Sequence, residues 1–143
     1  MGKVLGIFIS DGGVPKLSVN SVHVTNFGLV GDNQADKKHH GGLMKAVCVL
    51  ENELLLRLQS EGHPIQPGTT GENLLLEGFN LTIGSLFRVG NVELEVVSAA
   101  TPCKTISESF TNGNFNRISH KKHPGETRWY CKVIQTGKIS ISG

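Results

Sequence analysis

Cys103 lies in the tripeptide Thr101-Pro102-Cys103, after an alternating apolar stretch and before a polar one. Thr101 suits a helix N-cap and Pro102 the first helical position, so a short helix over about residues 103–110 is expected. A sulfur in that first turn would sit among unpaired amides that favour an anion, with the Lys104 ammonium beside it. Such a thiolate serves as a nucleophile or as a soft metal ligand. The alternative is an inert cysteine at a strand end. A second group is His39-His40-Gly41-Gly42. Adjacent residues of an extended segment point to opposite sides, so these histidines do not readily share one metal. Their better use is an anion or cofactor loop. The glycines let backbone amides approach a phosphate, one imidazole can donate a hydrogen bond, and Lys45 can meet the same charge. A third group, Gly71-Glu72-Asn73, offers a carboxylate and an amide at a tight turn. That pair suits a heterocycle with alternating donors and acceptors, such as a pterin, and equally a plain turn. In Gly28-Leu29-Val30-Gly31-Asp32, the carboxylate of Asp32 can cap a turn or orient a histidine ring nitrogen.

The other two cysteines read differently. Cys48 lies inside the apolar run Ala46-Val47-Cys48-Val49-Leu50, where a buried, inert thiol is expected. Cys131 lies in Trp129-Tyr130-Cys131-Lys132-Val133, and strand alternation turns it inward with Trp129 and Val133. An odd number of widely spaced cysteines without Cys-x-x-Cys argues against a disulfide framework, a zinc knuckle or a thioredoxin-type centre. The chain has no Walker loop, no Gly-x-Gly-x-x-Gly before a helix and no Gly-x-Ser-x-Gly elbow.

The elements that must position these groups are short. There are 18 glycines spread along 143 residues, the punctuation of many strands. Strands are expected over Val4–Ile9, Val22–Val24, Ala46–Leu50, Leu74–Leu76, Leu86–Val89, Val92–Ser98, Trp129–Ile134 and Ile139–Ile141. Asp11-Gly12-Gly13 reads as a turn, and residues 26–42 as a long functional loop. Gly90-Asn91 should close a hairpin, with Val92, Leu94 and Val96 facing inward. Thr136-Gly137 is a second candidate hairpin. Asn52 is placed to cap a helix through about Glu61, its Leu54, Leu55 and Leu58 packed on the core and Gly62 ending it. The expected architecture is a small closed β-barrel of short strands with one or two short helices, in one domain over residues 1–143.

Fourteen basic against 12 acidic residues give a formal charge of +2, too balanced to point to nucleic acid. Lys121-Lys122, between His120 and His123, is a local basic excess that fits a solvated loop. No run of about 18 apolar residues exists, so no membrane-spanning helix is expected. The N-terminus lacks the apolar core and cleavage site of a signal peptide, so a cytoplasmic location is expected.

Taken in order, Gly28-Leu29-Val30-Gly31-Asp32, His39-His40-Gly41-Gly42 with Ala46-Val47, Gly71-Glu72-Asn73-Leu74, Ile83-Gly84 and Pro102-Cys103 resemble the MOSC domain, the module named for the C-terminal domain of molybdenum cofactor sulfurases. Arg128-Trp129-Tyr130-Cys131-Lys132-Val133 resembles the family's late strand, and the likeness runs over about residues 2–142. It implies a β-barrel that binds molybdenum cofactor, a pterin dithiolene carrying molybdenum and a phosphate. The family's signature cysteine falls on Cys103 and implies a thiolate that carries sulfur or ligates molybdenum. His40, Lys45, Glu72, Asn73 and Arg128 are implied to line the cofactor site, with Asp32, His39, Gly41 and Gly42 beside them. Ala99-Ala100 stands where many larger members place an arginine, so that anion contact is either missing or supplied by Arg128 or the Lys121-Lys122 loop. The chain ends shortly after its last strand and reads as a minimal, stand-alone member. It shows no aminotransferase-like domain for pyridoxal phosphate and no iron–sulfur or flavin module, so a sulfur-donor or electron-donor protein is implied as partner. Three functions are open at this point. The chain could handle, sulfurate or deliver the cofactor. It could be a molybdenum-dependent reductase of N-hydroxylated compounds. It could also be a non-catalytic barrel for a small ligand or anion.

Overall fold

The computed structural model describes residues 2–10, 14–32 and 43–142. The expected turn at Asp11-Gly12-Gly13 and the His39–Gly42 group lie outside them. Alternating apolar residues build a seven-stranded sheet and a three-stranded one. The strands in chain order are β1 (Lys3–Ile9), β2 (Leu17–Val19), β3 (Ser21–Thr25), β4 (Gly28–Leu29), β5 (Val47–Glu51), β6 (Leu74–Glu77), β7 (Leu86–Val89), β8 (Val92–Ala100), β9 (Arg128–Gln135) and β10 (Gly137–Ser140). The large sheet has the order β2-β1-β6-β5-β9-β8-β7 and the small one β10-β3-β4. A single α-helix, α1 (Asn52–Ser60), and short 3-10 turns complete the described chain.

Period-two patterning assigns the two faces of the large sheet. Val47, Val49, Leu74, Leu76, Trp129 and Cys131 pack with Val22, Val24, Leu29 and Ile139 of the small sheet. The opposite residues Phe8, Leu50 and Leu75 pack under Leu54, Leu55 and Leu58 of α1 and under Ile106, Phe110 and Ile118. The three helix leucines are 7%, 2% and 0% exposed, as their spacing requires. Gly90-Asn91 does close the β7–β8 hairpin, with Val89 opposite Val92.

Three expectations give way. Among the described residues no closed barrel forms: β2 and β7 are the outer strands of the large sheet. The reason is that β10, β3 and β4 pair with one another as a separate sheet packed on one face of the large one, and so do not join its outer strands. Thr136-Gly137 does not make a hairpin. β10 crosses to the small sheet and pairs with β3, Ile139 opposite Val22, which seats Ile139 over the main core at 0% exposure. Asn52 is the first helical residue, not the cap; that position is Glu51, with no side-chain cap bond.

One ionic cluster fastens the segment after Cys103. Arg117 donates through Nε and Nη2 to Glu61 at 2.8 and 2.9 Å, and its Nη2 lies 2.7 Å from Glu126. These hydrogen bonds hold both carboxyls below their ordinary 4.5. Groups with depressed folded-state pKa values add stability above 4.5 and lose it as pH falls through the folded values. Both carboxylates are partly solvated, so the contribution is about 1 kcal/mol. Arg117→Met should therefore flatten the acid limb of a urea-midpoint against pH curve while leaving its shape near neutrality.

Candidate functional site

The strand ends that meet on the helix-covered face of the large sheet carry most of the groups with chemistry. β6 starts at Asn73-Leu74, and Asn73 is 0% exposed. Its Oδ1 accepts from the Cys48 amide at 2.9 Å, and its Nδ2 donates to Phe8 O at 3.3 Å and to Asp32 Oδ2 at 2.9 Å. The amide thus spans β1, β5 and the loop after β4. Asp32 also accepts from the Ser10 amide at 3.0 Å and from Lys16 Nζ at 3.0 and 2.9 Å. The Lys16–Asp32 pair is buried, its side chains 7% and 4% exposed. Gly28 lets this loop approach: at φ +118°, a Cβ there would collide with the Ala46 carbonyl.

Glu72 is also fully buried. It accepts from the Gly68 amide at 2.6 Å and from Thr70 Oγ1 at 2.7 Å. On the other side of Thr70 lies Arg128, whose Nη1 donates to Thr70 O at 2.6 Å and whose Nη2 reaches Ala100 O at 3.5 Å. Arg128 is 6% exposed, and its Nε finds no hydrogen-bond partner among the described residues. Its described acceptors are carbonyls, not carboxylates. A desolvated guanidinium in that condition is costly and suits an anion.

Beyond Arg128, alternation brings Tyr130 to the same face. It pairs in register with Cys48 and Ser98, and packs with Cys48 and Ala100 in a small cluster apart from the main core. Lys45, in the 3-10 turn Leu43–Lys45, stands with Nζ 5.2 Å from the Tyr130 ring centre. Burial raises the Tyr130 phenol above its usual range; Cys48 and Cys103 add to the rise and Arg128 opposes it. The phenol thus stands beside Cys48 and Ala100, two residues after Arg128 on the same face of β9.

Cys103 is the exposed thiol of the three. The expected helix over it is a 3-10 run, Lys104–Ser109, and Cys103 precedes it in extended conformation (φ −141°, ψ 175°). So neither Thr101 nor Pro102 occupies a helix start, and the sulfur is not within a helical turn. Its neighbour is the Thr105 hydroxyl, 2.9 Å from Sγ. Cys48 behaves as its sequence suggests: burial pushes its thiol up to about 11, with Arg128 and Lys16 opposing. Burial likewise raises Cys131. Under native, mildly alkaline conditions iodoacetamide should add once, at Cys103, and three times after denaturation; intact-mass measurement checks both numbers.

The sequence-derived residues thus fall into two connected sets: Asp32 with Asn73, and Glu72 with Arg128 through Thr70. Lys45 stands near the Tyr130 ring, two residues after Arg128 on β9, and Cys103 follows Ala100, whose carbonyl faces Arg128. His39, His40, Gly41 and Gly42 lie outside the described residues. Lys121 and Lys122 are exposed on the loop before β9. Sequence reading passed over Tyr130, Thr70 and Lys16. Tyr130 carried a signal, since two residues after Arg128 on a strand is the same face; Lys16 carried none. Among the described residues no three His, Cys, Asp or Glu side chains gather into a metal site, and no helix is long and apolar enough to cross a membrane.

A family model for the MOSC domain matches residues 36–142. The chain belongs to the MOSC domain family. Protein YiiM of Escherichia coli (strain K12) is 29% identical over 135 residues, which cover 89% of this chain and 59% of that protein. The uncharacterized protein YflK of Bacillus subtilis (strain 168) is 32% identical over 114 residues, 77% of this chain and 51% of that one. The chain therefore spans between half and three-fifths of these MOSC relatives. The crystal structure of YiiM from Escherichia coli superposes with a TM-score of 0.70 at 24% identity, covering 98% of this chain and 66% of that one, and so shares the fold. MOSC domains are associated with molybdenum cofactor binding.

Proposed function

We propose that this MOSC chain binds molybdenum cofactor at Cys103 and holds, sulfurates or delivers it to a partner protein. The observation that carries this reading is the exposed thiol of Cys103, three residues after Ala100, whose carbonyl faces Arg128, while the other two thiols are buried. The donor set fits the group: a soft thiolate suits molybdenum, and the Lys45 ammonium with the Arg128 Nε, unpartnered among the described residues, suits the anionic tail. When bound, the cofactor supplies the metal centre and its dithiolene sulfurs. The protein's residues do the rest. Cys103 supplies the thiolate, and Arg128 and Lys45 supply positive charge. Asn73, Glu72 and Asp32, whose side chains face inward, fix the strand starts on which those groups stand.

This reading places the chain in the cytoplasm and implies a protein that donates sulfur or accepts the cofactor. The experiment is cofactor transfer. The loaded chain, mixed with an apo-form of a molybdenum enzyme, should restore that enzyme's activity, and the Cys103→Ala chain should not. Turnover of an N-hydroxylated compound by the loaded chain, given an electron donor, would instead make it a reductase.

A further inference from the structure

Two opposite charges are buried against one residue without touching each other. Glu72 is 0% exposed, and both its oxygens accept: Oε2 from the Gly68 amide at 2.6 Å and Oε1 from the Thr70 hydroxyl at 2.7 Å. Arg128 is 6% exposed and donates through Nη1 to the Thr70 carbonyl at 2.6 Å, with Nε unpartnered among the described residues. Thr70, itself 0% exposed, thus holds the carboxylate by its hydroxyl and the guanidinium by its carbonyl. Neither charge has an ion-pair partner among the described residues. The turn that carries Thr70 is pinned on both flanks. The Lys16 amide donates to Gly68 O at 3.0 Å, and Ser109 Oγ donates to Thr69 Oγ1 at 2.8 Å.

Opposite charges bridged by one buried residue attract although they do not touch, because little water screens them. We propose that Glu72 is a positioning residue acting through Thr70: a built-in counter-charge that keeps the empty Arg128 guanidinium buried and moderates its grip on an anionic ligand. With the site empty, the carboxylate offsets the cost of a guanidinium whose described acceptors are carbonyls. With an anion on Arg128, the same carboxylate repels it, so the anion leaves more readily than it would from an unbalanced cation. That suits a chain that hands its ligand on. The inference deepens the proposed function and rests on its use of Arg128 as the anion's cation, though not on the identity of the cofactor.

The test is sulfate binding to the purified chain without cofactor, measured by isothermal titration at one fixed pH and ionic strength. Glu72→Gln keeps an acceptor for the Gly68 amide and a polar partner for Thr70 while removing the charge. It should tighten sulfate binding about threefold to tenfold, the effect of removing one like charge from a partly solvated site. A merely structural Glu72 gives unchanged or weaker binding in that variant. Arg128→Met should weaken sulfate about tenfold or more, and adding Glu72→Gln to it should recover none of the loss. A Glu72→Gln affinity at or below wild type overturns the proposal. So does a gain that survives in the Arg128→Met background, or a wild-type chain that binds no sulfate. Should Glu72→Gln fail to fold, adding Arg128→Met should restore folding, because both buried charges are then gone; a double variant that also fails overturns the proposal. The expected sulfate pattern in a chain that never takes up molybdenum would leave the Glu72–Arg128 pairing standing and overturn the cofactor reading. Molybdenum uptake through Cys103 with sulfate affinity unmoved by Glu72→Gln would do the reverse.

Discussion

Asp32→Ala should lower folding stability by about 3–5 kcal/mol, the loss expected when one partner of a buried ion pair is removed. The variant strands the Lys16 ammonium, which is 7% exposed, and takes an acceptor from Asn73 Nδ2 and the Ser10 amide. Against a typical total of about 5–15 kcal/mol, that is a large share. The diagnostic is the double variant. Lys16→Met with Asp32→Ala removes both charges, so it should regain a substantial part of the loss, and a urea-denaturation cycle measures the coupling. A loss below about 1 kcal/mol in the single variant would mean that the pair is solvated and does not hold the loop.

Arg128→Met separates binding from folding. The change removes a guanidinium whose described acceptors are two carbonyls and whose Nε has no partner among the described residues, and it refills the volume with an unbranched apolar chain. Lost hydrogen bonds and recovered desolvation oppose each other, so stability should move by about 1 kcal/mol or less in either direction. An anionic ligand loses a buried, charge-assisted contact, so its affinity should fall about tenfold to a hundredfold. Equilibrium dialysis of the cofactor beside a thermal melt gives both numbers. Equal losses in the two would assign Arg128 to the scaffold and leave Lys45 as the anion's cation.

Much of this was readable from residue order. The hairpin at Gly90-Asn91, the inward Val92, Leu94 and Val96, and the helix leucines follow from period and turn chemistry, which are local properties. Sheet closure is not local. β10, β3 and β4 pair with one another as a separate sheet, which leaves the outer strands of the large sheet unjoined and opens the barrel that strand spacing suggested. The partner of β10 is likewise chosen by the core position of Ile139, with no mark in the turn before it. The site divides the same way. Pro102-Cys103 marks an unusual thiol, and Cys48 is legible as buried from its apolar neighbours. That the oxygens of Glu72 and Asn73 are occupied by Gly68, Thr70 and the Cys48 amide emerges only from register. Lys16 reaches Asp32 from a stretch with no motif at all.

The central claim is that Cys103 anchors the cofactor. Its most direct test is the molybdenum and pterin content of protein purified from molybdate-fed, cofactor-competent cells, comparing wild type, Cys103→Ala and Cys48→Ala. The account predicts near-stoichiometric molybdenum in wild type and about one-tenth or less in Cys103→Ala, as loss of a metal-ligating thiolate requires. Cys48→Ala should keep its molybdenum and lose about 1 kcal/mol of stability, the cost of a small buried cavity. Molybdenum retained by Cys103→Ala and lost by Cys48→Ala, or absent from all three proteins, would contradict it.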